Sequence, residues 1–181
     1  MEEFVSSETI KERLITAGLT ELEIHGFADF SLRRVASSCN VSCAAPYKHF
    51  NDKEDFINEI ICYVDNQWTA LLQQIMSVFE GNKKRQLIEV CIAFVRFCMG
   101  NSQFRSIFMM NLGNKKTKLN MAQSITNLVA NYFENYEQHQ RDEKIFKINS
   151  LVLGTVTMTD NDTNNNENIL KMLRHEIENE I

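Results

Sequence analysis

One short stretch decides the fold, VSCAAPYKHF at residues 41–50. It is preceded by SLRRVA at residues 31–36 and followed by NDKEDF at residues 51–56. In the earlier stretch Ser31 is a favourable N-cap, and apolar residues then recur at the three- and four-residue spacing of one helix face. Asn40 favours a turn between the two stretches, because asparagine enters the left-handed region at modest cost. The pattern predicts a helix-turn-helix.

The second helix of this pair is predicted to begin at Ser42. Small residues follow at its start, and they would let the N-terminal end of the helix approach base edges closely. Pro46 removes one amide, which is tolerated in the first turn because amides there lack partners within the helix. Donors for phosphate follow at Tyr47, Lys48 and His49. The segment therefore suits the reading helix of a DNA-binding domain.

This segment resembles the DNA-binding domain of the tetracycline-repressor (TetR) family of one-component transcriptional regulators. The family pattern is roughly G-V-S-x-G-x-[LIVP]-Y-x-[HY]-F-x-[SND]-K-E-x-[LF]. It is met in order at Val41, Ser42, Pro46, Tyr47, His49, Phe50, Asp52, Lys53, Glu54 and Phe56. Asn40 and Ala44 depart from the pattern, since they stand where glycine is usual, while Gly26 matches the stop of the family's first helix. The alternative is a short helical pair inside some other all-α protein.

The charge of the chain is acidic overall, with 19 basic and 24 acidic residues. Acidic chains are poor generic DNA binders. Between Ser31 and Lys53, however, four basic residues face a single acid, Asp52. A small basic footprint on a repelling surface favours specific sites over non-specific binding, with an affinity that falls steeply with salt.

The resemblance implies two sets of DNA contacts. Phosphate anchors are expected at Ser31, Arg33, Tyr47, His49 and Lys53, with Arg34 beside them. Residues that face the bases are expected at Ser42, Cys43, Ala44, Ala45 and Lys48. Because the small side chains offer only apolar contacts, Lys48 is the one strong polar reader, and DNA shape is expected to contribute to specificity.

Composition bounds the remaining classes of protein. With 181 residues and 44% hydrophobic residues, the chain is long enough for a small head and a larger body. One proline and six glycines leave long stretches free for helix. No apolar run is long enough to cross a membrane, and a basic-then-apolar signal is lacking at the N-terminus. No membrane partner and a cytoplasmic location are therefore expected.

Five cysteines stand at irregular spacing without a Cys-x-x-Cys pair. This argues against a zinc site or a disulfide framework, so no metal or cofactor is expected. Cys43 could act with Cys39 as an oxidation switch near a helix end, against the simpler interpretation of a small residue tolerated near DNA. Nothing resembles a nucleophile with its base or a paired-carboxylate site, so the protein is not expected to be an enzyme.

Beyond residue 52 the sequence predicts long amphipathic helices. Asn51 or Asp52 is expected to cap a helix of about seven turns that joins head to body. Together these patterns predict an all-α protein of about nine helices. Its parts are a three-helix helix-turn-helix domain at residues 1–52 and an antiparallel helical bundle, for ligand binding and dimerisation, at residues 53–181. A looser likeness at residues 94–108 points to the AcrR-like subgroup of the family.

The last apolar pattern lies on the final predicted helix, after an Asn-rich loop at residues 160–168. Its members are Ile169, Leu173, Ile177 and Ile181. The resemblance implies that the last two helices pair with those of a second subunit, and an exposed stripe would supply the physical reason. Two heads related by a two-fold axis would read a palindromic operator in double-stranded DNA.

The body is rich in aromatic and methionine residues, which suit adaptable pockets for lipophilic ligands. A pocket for a small, largely apolar effector is expected at Trp68, Phe97, Phe104, Phe108 and Tyr132. Ordinary core packing is the alternative for each. The resulting prediction is a dimeric repressor released from its operator by this effector. A TetR-fold small-molecule-binding protein without DNA-binding activity is the second interpretation, and a helical enzyme or cofactor carrier is the third.

Overall fold

A computed structural model of the chain describes residues 9–100, 105, 120–159 and 163–181. These residues are helical and contain no strand, which confirms the all-α class. The helices are α1 Ile10–His25, α2 Leu32–Ser38, α3 Lys53–Val78, α4 Lys83–Gly100, α5 Asn120–Tyr132, α6 Gln138–Met158 and α7 Thr163–Glu180. The described residues thus hold seven α-helices, where about nine were expected.

Two compact units divide the chain, Met1–Val64 and Asp65–Ile181. The division falls within α3, so the first turns of this helix belong to the first unit and the remainder to the second. The functional boundary predicted after residue 52 stays a prediction.

Local hydrogen bonds set the ends of α1 and α2. The Thr9 hydroxyl accepts from the Glu12 amide, and the Glu12 carboxylate accepts from the Thr9 amide, which is a capping box at the start of α1. α1 ends at Gly26, whose φ of 67° is accessible to glycine at little cost. The Ser31 hydroxyl caps α2 by accepting from the Arg34 amide, and Asn40 takes a φ of 56° in the following turn. The predicted cap and turn are confirmed.

The core of the first unit is an aromatic cluster. The ring centroids of Phe50 and Phe56 lie 4.4 Å apart, and those of Phe30 and Phe56 lie 5.7 Å apart. Gly18 on α1 allows this cluster to pack closely, because an added Cβ would lie 2.5 Å from Phe56 Cε1 and 2.7 Å from Ile60 Cδ1. The start of α3 is thereby held against α1, and Phe50 joins the same cluster from the segment that precedes α3.

The start of α3 follows the predicted capping. Asp52 Oδ1 accepts from the Asp55 amide at 2.8 Å, and the Asp55 carboxylate accepts from both nitrogens of Asn51. Asp52 is therefore the N-cap of α3.

In the second unit, α4 packs against α5, α6 and α7. Two buried or half-buried polar contacts tie its helices together. Asp65 Oδ1 accepts from the Met121 amide at 2.8 Å near the start of α5, and Arg174 on α7 forms a two-pronged pair with the Glu89 carboxylate at 2.9 Å. The pKa of Glu89 is lowered by hydrogen bonding to Arg174, more than burial raises it.

The apolar stripe of the last helix is not exposed, contrary to expectation. Ile169, Leu173 and Ile177 are all buried within the chain's own second unit. The reason is that α7 packs on α4 and α6, so its apolar face is already covered. The exposed large apolar side chains on α6 and α7 are Phe146, Met158 and Met172. The last helix also begins at Thr163, inside the segment predicted as a loop.

The cysteines of the described residues are free thiols. Cys39, Cys91 and Cys98 are buried, whereas Cys43 and Cys62 are exposed. Burial raises the pKa of Cys91 and of Cys98 to about 12, so these two thiols are unreactive at neutral pH. Along the described part of the chain, every helix is too short or too polar to span a bilayer.

Candidate functional site

The segment predicted to read DNA is a 3₁₀ turn, Pro46–Lys48, and not an α-helix. The Ala45 amide donates to the Ser42 carbonyl at 2.9 Å, and the Lys48 amide donates to the Ala45 carbonyl at 3.1 Å. In an α-helix capped by Ser42, residue 46 would donate the first bond to the Ser42 carbonyl. Pro46 has no amide to donate, so the chain closes three-residue turns instead. The predicted Ser42 cap is therefore wrong.

The side chains of this turn divide into a buried and an exposed set. Pro46 and Phe50 are buried in the first unit, and Ala45 is half-buried. The predicted contact residues Ser42, Cys43, Ala44, Tyr47, Lys48 and His49 are all exposed. Tyr47 keeps 59% of its surface accessible, which is high for an aromatic residue. The turn thus presents its polar and small residues to solvent and anchors itself through Pro46 and Phe50.

The adjacent residues Arg33 and Arg34 have different environments. Arg34 Nε donates to Glu21 Oε1 at 2.8 Å, and Arg34 Nη2 contacts both that carboxylate and the Asp29 carbonyl. Within the described residues Arg33 is exposed and forms neither an ion pair nor a hydrogen bond through its side chain. Arg33 is therefore free to meet a phosphate, whereas Arg34 already holds α2 to α1.

Glu21 organises this corner of the first unit, and no sequence pattern singles it out. Its side chain is 8% exposed, and its carboxylate accepts from the Ser31 amide at 3.1 Å as well as from Arg34. Burial alone would raise the pKa of Glu21, but the hydrogen bonds from Arg34 and Ser31 outweigh it and lower this pKa. Glutamate on a helix is ordinarily exposed. The structural role of Glu21 is therefore visible only from its tertiary contacts.

The remaining predicted anchors are Ser31 and Lys53. The Ser31 hydroxyl is half-buried and already accepts from the Arg34 amide, but as a hydroxyl it still has a proton to donate. Lys53 is exposed, and its Nζ lies 5.7 Å from the centroid of the Phe30 ring. A cation–π contact of this kind holds a lysine side chain in place without neutralising its charge.

Of the expected effector residues that the structure describes, Trp68 and Phe97 lie beside each other and Tyr132 lies apart from them. Trp68 is fully buried, with its ring 5.1 Å from that of Phe94 and 5.5 Å from that of Phe97, and its Nε1 donates to Ser124 Oγ at 3.0 Å. These contacts are those of a packed core. Tyr132 lies elsewhere, on a cavity of about 390 Å³ that also borders Gln86. Phe104 and Phe108 lie outside the described residues.

Comparison with known proteins finds a family likeness within the first unit. Residues 14–60 match the family model described as bacterial regulatory proteins, tetR family. The TetR match spans most of α1, the whole of α2 and the 3₁₀ turn, and the start of α3, which is the region chosen from the sequence. The likeness to the TetR family predicted from the sequence is thereby supported over residues 14–60, and the AcrR-like subgroup stays a prediction.

Solved structures of transcriptional regulators share the fold along the chain. A transcriptional regulator from Rhodococcus sp. RHA1 has a TM-score of 0.74 at 16% identity, covering 94% of this chain and 95% of that one. A TetR transcriptional regulator from Legionella pneumophila has a TM-score of 0.67 at 20% identity, covering 96% and 97%. At such identities the likeness shows the fold alone. No curated protein matches this chain in sequence.

Proposed function

We propose that this protein is a sequence-specific transcriptional regulator that binds a palindromic operator as a homodimer. The observation that carries the proposal is the exposed basic surface on the TetR-type domain. Arg33, Tyr47, Lys48 and His49 all face solvent there. Phosphate contacts supply most of the affinity of such proteins and fix their register on the duplex.

Lys48 is the base reader in this proposal. It is exposed and, among the described residues, its ammonium is without an ion pair or hydrogen bond. Cys43 and Ala44 are exposed beside it and offer apolar contact to thymine methyl groups. Because only one strong polar reader is present on each subunit, DNA shape contributes a large share of the specificity.

Dimerisation is proposed through α6 and α7, on the faces that point away from the subunit core. Phe146 is 72% exposed, Met158 is 68% exposed and Met172 is 58% exposed. Large exposed apolar side chains are candidates for burial at an interface. A second copy would cover them and would supply the second head that a palindrome requires. Sedimentation of Phe146→Glu, expected to be monomeric, tests this interface.

Repression with release by a small, largely apolar effector completes the proposal, and it rests on the family resemblance. The second candidate is a TetR-fold binding protein without DNA-binding activity. Two observations favour that candidate, namely the net charge of -5 and the neutralisation of Arg34 by Glu21. Both weaken the attraction to DNA.

Binding of the purified protein to its own upstream intergenic DNA separates the two candidates. The measurement is made at two salt concentrations with excess non-specific competitor DNA. Competitor-resistant binding that weakens with salt is expected of the regulator. If a folded dimer shows no such binding, the binding-protein candidate replaces the proposal.

A further inference from the structure

A cavity of about 390 Å³ opens in the second unit between the end of α3, the start of α4 and the end of α5. Its volume lies within the range of small-molecule sites, about 300–1,000 Å³. Met76, Leu128 and the ring of Tyr132 form its apolar wall, and all three are only half-buried. Apolar side chains left partly open around a concave surface gain free energy when a ligand covers them.

Gln86 provides a fixed polar group in this cavity. The residue is only 9% exposed, and its Nε2 donates to the Met76 carbonyl at 2.9 Å. This bond fixes the plane of the side-chain amide. Within the described residues, the side-chain oxygen Oε1 of Gln86 accepts no hydrogen bond from the protein. A ligand donor that reaches this side-chain oxygen gains a hydrogen bond that the protein itself does not supply.

Two further polar groups on the cavity are also uncommitted. In the described part of the chain, neither the Asn131 amide nor the Tyr132 hydroxyl has a hydrogen-bond partner. Each can donate or accept. The cavity therefore offers an apolar wall with an acceptor at Gln86 and two adaptable groups beside it.

The charges at the cavity cancel each other. Lys83 Nζ and Glu134 Oε1 lie 2.8 Å apart and form an ion pair across its edge. A charged ligand would gain no unpaired counter-charge from this pair and would lose its hydration on entering. The arrangement thus selects against both anions and cations.

We infer that this cavity binds an uncharged, amphipathic small molecule whose hydroxyl or amide group donates to Oε1, the side-chain oxygen of Gln86. The apolar part of the ligand covers Met76, Leu128 and the Tyr132 ring. This inference rests on the proposed effector function and moves its site away from Trp68, because the space beside Trp68 is occupied by packed side chains.

Benzyl alcohol is a suitable probe, with toluene, benzoate and benzylamine as matched compounds. Binding is followed by NMR on the free protein through the Met76 methyl group, with the Trp68 indole as the internal reference. Benzyl alcohol is expected to shift the Met76 signal saturably and to leave Trp68 unchanged. Toluene should bind about five- to tenfold more weakly because it lacks the donor, and both charged compounds more weakly still. Equal binding of benzoate, a shift centred on Trp68, or no saturable shift would overturn the inference.

Two variants and one control make the test specific. Gln86→Met removes the acceptor, and Leu128→Phe fills the cavity from its half-buried rim, so that one variant still decides the matter if the other fails to fold. Both are expected to lose at least tenfold in affinity, whereas Tyr136→Phe, outside the cavity lining, keeps the affinity of the natural chain. Unchanged binding in Leu128→Phe would contradict the inference. Because the measurement uses no DNA, a negative result would contradict this inference without affecting the operator-binding test.

Discussion

The two units expose their functional chemistry in opposite ways. In the first unit, the proposed contact residues lie within residues 31–53, and most of them are exposed. In the second unit, the cavity collects residues from α3, α4 and the end of α5, spread between positions 76 and 134. A site on one contiguous segment can be recognised from its motif. A site assembled across helices is recognisable only once the helices are packed.

The largest expected effect tests the exposed surface of the first unit. Lys48→Ala combined with Tyr47→Phe should weaken operator binding by about 2–6 kcal/mol, because each change acts once in each subunit. Competition binding measures the loss. Lys84→Ala, an exposed lysine of the second unit, is the charge control and should bind as the natural chain does. Comparable losses in both variants would mean that general charge, and not the 3₁₀ turn, carries the binding.

A second test compares packing in the two units at two helical glycines. Gly18→Ala should lower the free energy of unfolding by about 1–3 kcal/mol, because its Cβ would collide with the buried Phe56 and Ile60. Gly154→Ala on α6 meets nothing within 4 Å and should be neutral or stabilising, by up to about 1 kcal/mol. Urea denaturation measures both. A neutral Gly18→Ala would show that the aromatic cluster repacks easily.

The neighbouring arginines sharpen the comparison within the first unit. Arg34→Ala should lower the free energy of unfolding, because it leaves the buried Glu21 carboxylate without the arginine and with only the Ser31 amide as a hydrogen-bond donor. Arg33→Ala should leave stability within about 0.5 kcal/mol. It should instead reduce the slope of the logarithm of the DNA-binding constant against the logarithm of the salt concentration. The reduction should be about 0.9 for each phosphate that Arg33 neutralises. Thermal melting and salt-dependent binding of the two variants separate these roles, and an identical profile would refute the division.

The smallest effect concerns the ion pair between Glu89 and Arg174 in the second unit. The pKa of Glu89 is lower in the folded chain than in the unfolded chain. The ion pair therefore stabilises the fold fully when the pH is above the pKa of the unfolded chain, about 4.3. This stabilisation is lost as the pH falls through the pKa of the folded chain. Arg174→Met should cost about 0.5–1 kcal/mol at pH 7, allowing for solvent screening of the partly exposed pair.

The difference between Arg174→Met and the natural chain should shrink as the solution is acidified below about pH 4. Lys171→Met, an exposed change on the same helix, is the control for a general effect of removing a positive charge. Urea midpoints at several pH values provide the measurement. A difference that stays constant with pH would exclude Glu89 as the group that titrates.

Some predictions fail for local reasons and others for tertiary ones. Pro46 is tolerable in a first turn, but it stands where the first helical hydrogen bond needs its donor, so the reading segment is a 3₁₀ turn. The stripe at Ile169, Leu173 and Ile177 is apolar as predicted, but the chain's own helices cover it. Periodicity shows that a face is buried and does not show whether the covering helix belongs to the same chain.

The sequence by itself determined the all-α class, the end of α1 at Gly26, the cap of α2 at Ser31, the turn at Asn40 and the likeness of residues 14–60 to the tetR family. These features depend on bonds and dihedral angles within a few residues, which short patterns encode directly. Tertiary structure alone decided that Arg34 is committed to Glu21, that Trp68 is core and that Gln86 borders a cavity. Each of these depends on a side chain from a distant helix, and the position of that helix follows from the packing of the whole unit.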